Sequence, residues 1–402
     1  MNNLMWLEIN LRSLKKNIKN IKMLLDTRTK FMAVVKSNAY GHGIFECAKA
    51  AIEAGADWLG VINIEEALSL RNLGFRNPIL VLGYVMPRDM EKAVVYDISV
   101  SLTNWEQLSK ISAIQFPISK KLKVHLKIET GISRLGYTQE NWDRLIESLN
   151  NLPKNIMIEG IYSHFASVEE YDLTYSKKQM ERFLDFKDLF QDNYKLPIGM
   201  PQPLYHMAAS APTLIMPESH FDMVRSGIAI YGLWPSLKIR DSFEAIRSKL
   251  KLKIKGDFLE PILSYKTRIV QMKDVKVGDY IGYGCTYPVD KPMVIAIIPV
   301  GYAEGYDRGL SNPALPGHKS GTVLIKNQKC PIVGRICMNM SMVDISVFAS
   351  LEDRPKIGDE VTLIGNDRND IISVDEIAEK IGTINYEVVT RLPGHLPRKY
   401  IK

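Results

Sequence analysis

Apolar residues Leu11, Leu14, Ile18, Ile21 and Leu25 recur at three- and four-residue steps across residues 10–27, the stripe of an amphipathic helix. An alternation follows. Short apolar runs of strand character stand at Phe31–Lys36, Trp58–Val61, Ile79–Gly83, Asp97–Leu102, Lys123–Ile128, Ile158–Phe165, Leu204–Ala208 and Met223–Ile230. Helical periodicity fills the intervals at Ile44–Glu53, Ile64–Arg71, Trp105–Ile114, Glu140–Leu149 and Ser176–Phe190, and the last connection, Ser210–Met216, is short. Eight strands alternating with helices predict an α/β fold, a (β/α)8 barrel of the TIM type. Such barrels collect functional groups at the C-terminal ends of their strands and often bind phosphate after strands seven and eight. On this reading Lys36 ends strand one, and Ser210 and Gly227 follow strands seven and eight.

From about residue 260 the texture changes. Runs at Pro292–Val300, Gly321–Ile325, Pro331–Ile345 and Glu360–Ile364 follow one another with turn signals, broken by one helical stretch at Val374–Ile381. This predicts a mainly β C-terminal domain, with the basic segment between Leu237 and Phe258 as the junction. The barrel is thus expected at residues 10–240 and the β domain from 241 to 402.

Composition narrows the class without choosing a chemistry. A chain of 402 residues can bury two cores, and 46% hydrophobic with 24% charged residues is ordinary for a soluble protein. The formal charge of +7 is spread along the chain. Its densest stretch, Lys249–Lys255, alternates lysine with apolar residues, as in a strand whose lysines guard a sheet edge. No aromatic platform accompanies it, so a nucleic-acid surface is not expected. The N-terminus lacks a basic and apolar leader, and no run of 18 apolar residues occurs, so neither secretion nor membrane spanning is expected. Cys47, Cys285, Cys330 and Cys337 are scattered without metal-ligand spacing, which fits reduced thiols in a cytoplasm.

The chemistry concentrates in Ala33-Val34-Val35-Lys36-Ser37-Asn38-Ala39-Tyr40-Gly41-His42-Gly43. An apolar run ends in a lysine and breaks into a loop able to approach a ligand closely. A lysine held there is a candidate for Schiff-base chemistry, because desolvation lowers its pKa and frees the lone pair. Arg225 sits inside the apolar segment Phe221–Gly232, where a buried guanidinium must be paired or serve a site. His164 ends candidate strand six, and Arg134 follows strand five.

The segment around Lys36 closely resembles the cofactor-lysine motif of alanine racemases, which bind pyridoxal phosphate. Further segments resemble that family in the same order along nearly the whole chain. Ile281–Tyr287 is similar to the catalytic-tyrosine motif and points to Tyr283; Pro299–Tyr306 to the GYADG motif, with Tyr302; Gly334–Asp344 to the CMDQ-type substrate segment, with Met338. The resemblance implies that Lys36 carries the cofactor and that Tyr40, Ser210 and the Gly227 and Ile228 N–H groups hold its phosphate. It also implies that Arg225 faces the pyridine nitrogen with His164 beside it. Arg134 would touch the cofactor's phenolic oxygen and the substrate carboxylate. Lys127 matches a lysine that is carbamylated in some members, with an ordinary salt bridge as the alternative.

The implied function is interconversion of L- and D-alanine, supplying D-alanine for peptidoglycan. Arginine, with a pKa above about 12, does not protonate the pyridine nitrogen, so charge left on Cα is poorly delocalised and reprotonation is fast. Lys36 would act on the D enantiomer and Tyr283 on the L enantiomer. A phenol of pKa about 10 needs a nearby cation for that work, and Arg134 is the candidate. The resemblance further implies a homodimer, with Tyr283, Tyr302 and Met338 supplied by the partner, and strand Trp6–Ile9 joining the C-terminal sheet, so that residues 1–9 belong to that domain.

Four positions depart from the family pattern. Ala209 replaces an Asn, Glu304 replaces the Asp of GYADG, Asn339 replaces the Asp after Met338, and Gly394 or His395 stands where a tyrosine is usual. A smaller group there predicts some activity on serine beside alanine. The rival readings are a fold-related pyridoxal-phosphate decarboxylase and a non-catalytic binder of the cofactor.

Overall fold

The computed structural model describes residues 3–113, 120–247, 254, 256–312, 320–348, 350–367 and 369–402. The chain divides into two compact units, one of Ser13–Ala39 with Ile44–Glu260 and one of Met1–Arg12, Tyr40–Gly43 and Pro261–Lys402.

The first unit contains eight parallel strands: β1 (Lys30–Val34), β2 (Trp58–Val61), β3 (Ile79–Tyr84), β4 (Ser99–Leu102), β5 (Leu122–Lys127), β6 (Ile156–Tyr162), β7 (Leu204–His206) and β8 (Met223–Ser226). Each pairs with its sequence neighbour from β1 to β7, and β8 returns to pair with β1, Lys30 opposite Met223. The remaining gap is bridged by Asp222 N–H donating to Tyr205 O (3.0 Å), Arg225 N–H to Ala208 O (2.9 Å) and Tyr205 N–H to the Asp222 carboxylate (2.8 Å). The barrel is therefore all but closed, as the alternation predicts. β1, β2, β4 and β8 are buried along nearly their whole length, as strands covered on both faces are.

Five expected strands run past their real ends. β1 stops at Val34, β5 at Lys127, β6 at Tyr162, β7 at His206 and β8 at Ser226, and Ile228–Tyr231 is a 3-10 turn. The apolar residues beyond each end are buried in loops, so burial mimicked strand character. The interval helices lie at Ile44–Glu53, Ile64–Asn72, Trp105–Ala113, Trp142–Asn150 and Thr174–Asn193, each within a few residues of expectation; Ile114 lies outside the described residues. Among the described residues, the helices Met90–Val95 and Leu237–Arg247 of this unit and Asn385–Thr390 of the second were not expected. The lysine-rich segment 249–255 lies outside the described residues except for Ile254.

The second unit is mainly β. Its largest sheet orders Gln328–Pro331, Thr322–Ile325, Glu360–Asp367, Leu263–Arg268, Met5–Asn10 and Arg398–Ile401, with Asp370–Ile372 paired to Glu360–Asp367. Strand Met5–Asn10 lies antiparallel to Leu263–Arg268 and parallel to Arg398–Ile401. A smaller sheet of Gln271–Val275, Met293–Ile298 and Ser341–Asp344 packs Met293, Ile295 and Met342 with Ile281, Val289 and Val333. The expected run Pro331–Ile345 divides into two short strands around an irregular segment, 332–340. Among the described residues, no helix is long and apolar enough to cross a membrane.

That irregular segment is zipped to the loop after Met293–Ile298. Tyr302 N–H donates to Cys337 O (3.2 Å) and Ala303 N–H to Met338 O (3.0 Å). Gly301 is required there, since a Cβ would lie 2.1 Å from Cys337 O. The Glu304 carboxylate accepts from Gly301 N–H (2.9 Å) and from the Asn339 amide (2.7 Å). Two of the four departures from the family pattern are thus partners of each other. Asn339→Asp replaces the amide donor by a second carboxyl. It is expected to cost about 1.5–3 kcal/mol at neutral pH, the worth of a hydrogen bond to a charged group. The loss should shrink as pH falls, because the folded pair then takes up a proton that restores a donor, raising its pKa above the unfolded value. Denaturant midpoints at neutral and mildly acidic pH measure this, and an equal loss at both refutes it.

Candidate active site

The turn after β1 is left-handed. Ser37, Asn38 and Ala39 have φ of 54°, 53° and 54°, and Tyr40 follows at 52°. Four consecutive L residues in this region cost on the order of 1–2 kcal/mol each, so the surroundings must impose the conformation. Ala39 N–H donates to Val35 O (2.9 Å), Asn38 N–H to the Glu66 carboxylate (3.1 Å), and the Asn38 side chain accepts Ile44 N–H (2.9 Å). The turn fixes Lys36, half-buried, just beyond the strand end. Burial and the Arg134 and Arg225 charges lower its pKa, against an opposing pull from Glu66. That is the direction a nucleophilic amine needs.

Arg225, on β8, is buried, and its acceptors are all neutral. Nη1 lies 2.8 Å from His206 Nδ1. Nη2 donates to Ser163 O (2.8 Å) and Met207 O (3.0 Å) and lies 3.3 Å from His164 Nδ1. Among the described residues, no carboxylate salt bridge holds it. Nε has no protein acceptor among the described residues. Burial brings the Arg225 pKa down to about 10, still charged at neutral pH. Burial and the neighbouring cations push His164 and His206 well below the usual histidine range, so both are neutral.

Lys127 ends β5, buried, with its ammonium 5.3 Å from the centre of the Tyr162 ring. Burial, then Arg134, Arg225 and Lys36, bring its pKa down to about 8. No carboxylate lies within ion-pair distance of it among the described residues, so the salt-bridge alternative is absent. The nearest acid, Glu129, is engaged with the N–H groups of Ile132 (2.7 Å) and Arg134 (3.1 Å) and with that of Gly131. Lys36, Lys127, Arg134 and Arg225 thus group together, each of the two lysines feeling the charge of both arginines. Ser210, buried beyond β7, accepts Gly227 N–H through its hydroxyl oxygen (2.9 Å), which keeps the hydroxyl hydrogen free to turn toward a ligand. Ala209 occupies the N-cap of the helix Ser210–Ile215 and offers no side-chain cap. Ile228 opens the 3-10 turn beyond Gly227.

In the β unit, Tyr283 stands between Gly282 (φ 77°) and Gly284 (φ 75°). A Cβ on Gly282 would lie 2.9 Å from Arg335 N, so the turn is pressed onto that segment and its phenol projects. Tyr283, Tyr302 and Met338 are 69%, 44% and 56% exposed, unusual for two aromatics and a methionine held on ordered loops. Tyr40 belongs to this unit too; its hydroxyl is buried, which raises its pKa, and its ring lies 6.3 Å from that of Tyr386. Gly394 is open: a Cβ there would meet nothing within 4 Å.

Three contributors escaped sequence reasoning: His206, His125 and Tyr162. His206 bonds Arg225, and the Tyr162 ring stacks on it at 4.9 Å and 4°. The available signal was a histidine inside an apolar strand, as in Val124-His125-Leu126 and Tyr205-His206-Met207.

Known proteins resemble this chain over both of its units. Residues 9–235 match the family model "Alanine racemase, N-terminal domain" and residues 262–400 the model "Alanine racemase, C-terminal domain". The chain is 38% identical over 397 residues to the alanine racemase of Methanococcus maripaludis, covering 98% of both. It is 38% identical over 399 residues to that of Clostridium tetani, covering 99% of this chain and 95% of the relative. The crystal structure of alanine racemase from Bacillus anthracis with bound L-Ala-P superposes with a TM-score of 0.85 at 34% identity, over 100% of this chain and 95% of that one. The enzyme from D-cycloserine-producing Streptomyces lavendulae gives 0.85 at 31%, over 100% and 97%. Matched over both halves and nearly from end to end, this chain belongs to the alanine racemase family.

Proposed function

We propose that this protein interconverts L- and D-alanine with pyridoxal phosphate as cofactor, Lys36 and Tyr283 moving the Cα proton on opposite faces. One observation carries the reading: a buried guanidinium, Arg225, without an anionic partner, grouped with Lys36, Lys127 and Arg134. The residues fit the cofactor's demands. Lys36 offers an amine of lowered pKa, Ser210 a hydroxyl and Ile228 a backbone N–H for phosphate, and Arg225 an Nε with no protein acceptor among the described residues. Tyr40 lies four residues beyond Lys36, on the same left-handed turn. When bound, pyridoxal phosphate supplies an aldehyde for amines and an electron sink for the Cα bond.

The chain's residues do the rest. Arg225 keeps its own proton and stabilises negative charge without neutralising the ring nitrogen. His164, held neutral, completes the contacts around Arg225. Arg134 orients the substrate carboxylate by paired charge-assisted bonds. Lys36 holds or releases the proton on the D side and Tyr283 on the L side. The two enantiomers have equal free energy, so these groups lower the barrier and leave the ratio near one to one. Tyr283, Tyr302 and Met338, exposed on one copy, complete the site of a second copy in a homodimer.

L-Alanine incubated with the protein and cofactor in heavy water is expected to lose optical rotation as deuterium enters at Cα, and carbon dioxide release would favour the decarboxylase instead. Tyr283→Phe should still be trapped by borohydride at Lys36. It should slow turnover from the L side by about 10²–10⁴-fold, the contribution of a positioned acid–base group. Unchanged racemisation, or a label on another lysine, refutes the assignment.

Lys127 is read as a carbamate. With a pKa near 8, its amine is partly neutral at neutral pH and attacks carbon dioxide; the N–C bond forms, a proton leaves to solvent, and the anion faces Arg134. Carbon-13 bicarbonate should give a carbamate resonance that strengthens as pH rises toward 8 and is absent from Lys127→Ala. Absence from the parent protein refutes it.

The open space at Gly394 favours a second, broader reading in which serine is accepted beside alanine. Catalytic efficiencies for L-alanine and L-serine decide this, and undetectable serine turnover rejects it.

A further inference from the structure

Behind Arg225 a line of polar side chains runs through the barrel interior. Arg225 Nη1 lies 2.8 Å from His206 Nδ1, and His206 Nε2 lies 2.9 Å from His125 Nδ1. His125 Nε2, buried, meets no hydrogen-bond geometry among the described residues, and the Glu159 carboxylate stands 3.4 Å from it. Both histidines are 0% exposed. Tyr162 stacks on His206, and Trp58 sets its edge against His125 at 5.4 Å and 72°. Gly160 makes room for the line, since a Cβ there would lie 2.3 Å from His125 Nδ1. Ser99 donates its hydroxyl to Glu159, fixing the carboxylate.

The proton inventory allows one arrangement. A guanidinium only donates, so His206 Nδ1 carries no hydrogen. His206 is neutral, so its hydrogen is on Nε2, directed at His125 Nδ1. That atom must be bare, which places the His125 hydrogen on Nε2, facing the one anion of the line. Every donor points the same way, from Arg225 toward Glu159. The reverse polarity would set an N–H of His206 against an N–H of Arg225 inside the barrel, an unpaired buried donor on each side.

We infer that Glu159 and His125 are positioning residues for Arg225: the carboxylate at the far end of the line fixes both histidines as Nε2–H tautomers and so fixes the guanidinium as an oriented donor. A carboxylate offers only acceptance at that end, so it selects the polarity. The tautomer assignment stands on the barrel alone. Its consequence for racemisation rests on the proposed function.

Nitrogen-15 NMR of the histidine-labelled holoenzyme at neutral pH tests the assignment, with His125→Gln and His206→Gln identifying the signals. Both rings are expected as neutral Nε2–H tautomers. Glu159→Gln, whose amide can donate or accept, is expected to shift the His125 and His206 resonances toward mixed tautomers. It should lower kcat for alanine about tenfold, the scale of outer-shell partners of histidine elsewhere, with KM little changed. Glu159→Asp should recover both. Should Glu159→Gln not fold, Ser99→Ala, which loosens the carboxylate, carries the same expectation in smaller measure. A His206 signal of the Nδ1–H form or of imidazolium in the parent overturns the proposal. So do histidine signals and kcat unmoved by Glu159→Gln. A parent protein that racemises nothing yet shows the Nε2–H pair refutes the proposed function and leaves the tautomer assignment intact.

Discussion

Arg225 is buried and charged, and every acceptor around it is neutral: two histidines and two carbonyls. An uncompensated charge in such a place is costly unless a ligand or a remote group offsets it. The protein satisfies two of its nitrogens from within the fold and leaves Nε. That division makes a structural guanidinium into a site. A resident carboxylate would have neutralised Arg225, stabilised the empty barrel and removed the reason for an anionic, nitrogen-bearing ligand to bind.

The same excess of positive charge sets the state of its neighbours. Lys36 and Lys127 are both driven toward the neutral amine, for the same reasons of burial and cationic company. In the proposed function, a neutral amine at position 36 would serve as nucleophile and base, and one at position 127 would take up carbon dioxide. The barrel thus favours the neutral amine at two lysines by one arrangement of charge, while the Glu129 and Glu66 carboxylates accept backbone N–H groups and offset that charge only in part. Backbone strain serves the same end. The left-handed turn from Ser37 to Tyr40 is an expensive way to leave a strand, and its hydrogen bonds to Val35, Glu66 and Ile44 hold Lys36 at one place.

Much of this was legible in the sequence, and what was missed has a physical cause. The alternation of apolar runs and helical stripes gives the barrel because each strand is buried on both faces and each helix on one. Strand ends were overrun because Val35, Ser163, Met207 and Ile228 are buried without being in ladders. The lysine motif stood out by residue type and order. The histidine line did not, since its members come from β5, β6 and β7 and meet only when the barrel closes; no spacing along the chain encodes that. The partners of strand Met5–Asn10, more than 250 residues away, are equally invisible to local pattern.

Departures from a family pattern are usually weighed singly, and here that would mislead. Glu304 for Asp adds a methylene, and Asn339 for Asp removes a charge; each alone reads as a perturbation of the loops that carry Tyr302 and Met338. Together they place one carboxylate oxygen on Gly301 N–H and the other on the Asn339 amide. Two acids at these positions would leave an acceptor facing an acceptor, and two amides would lose the charge that strengthens the bond to Gly301. One acid and one amide is the combination in which every donor and acceptor of the pair is matched. The matched pair therefore braces the backbone bonds from Tyr302 to Cys337 and from Ala303 to Met338 that zip the two loops together.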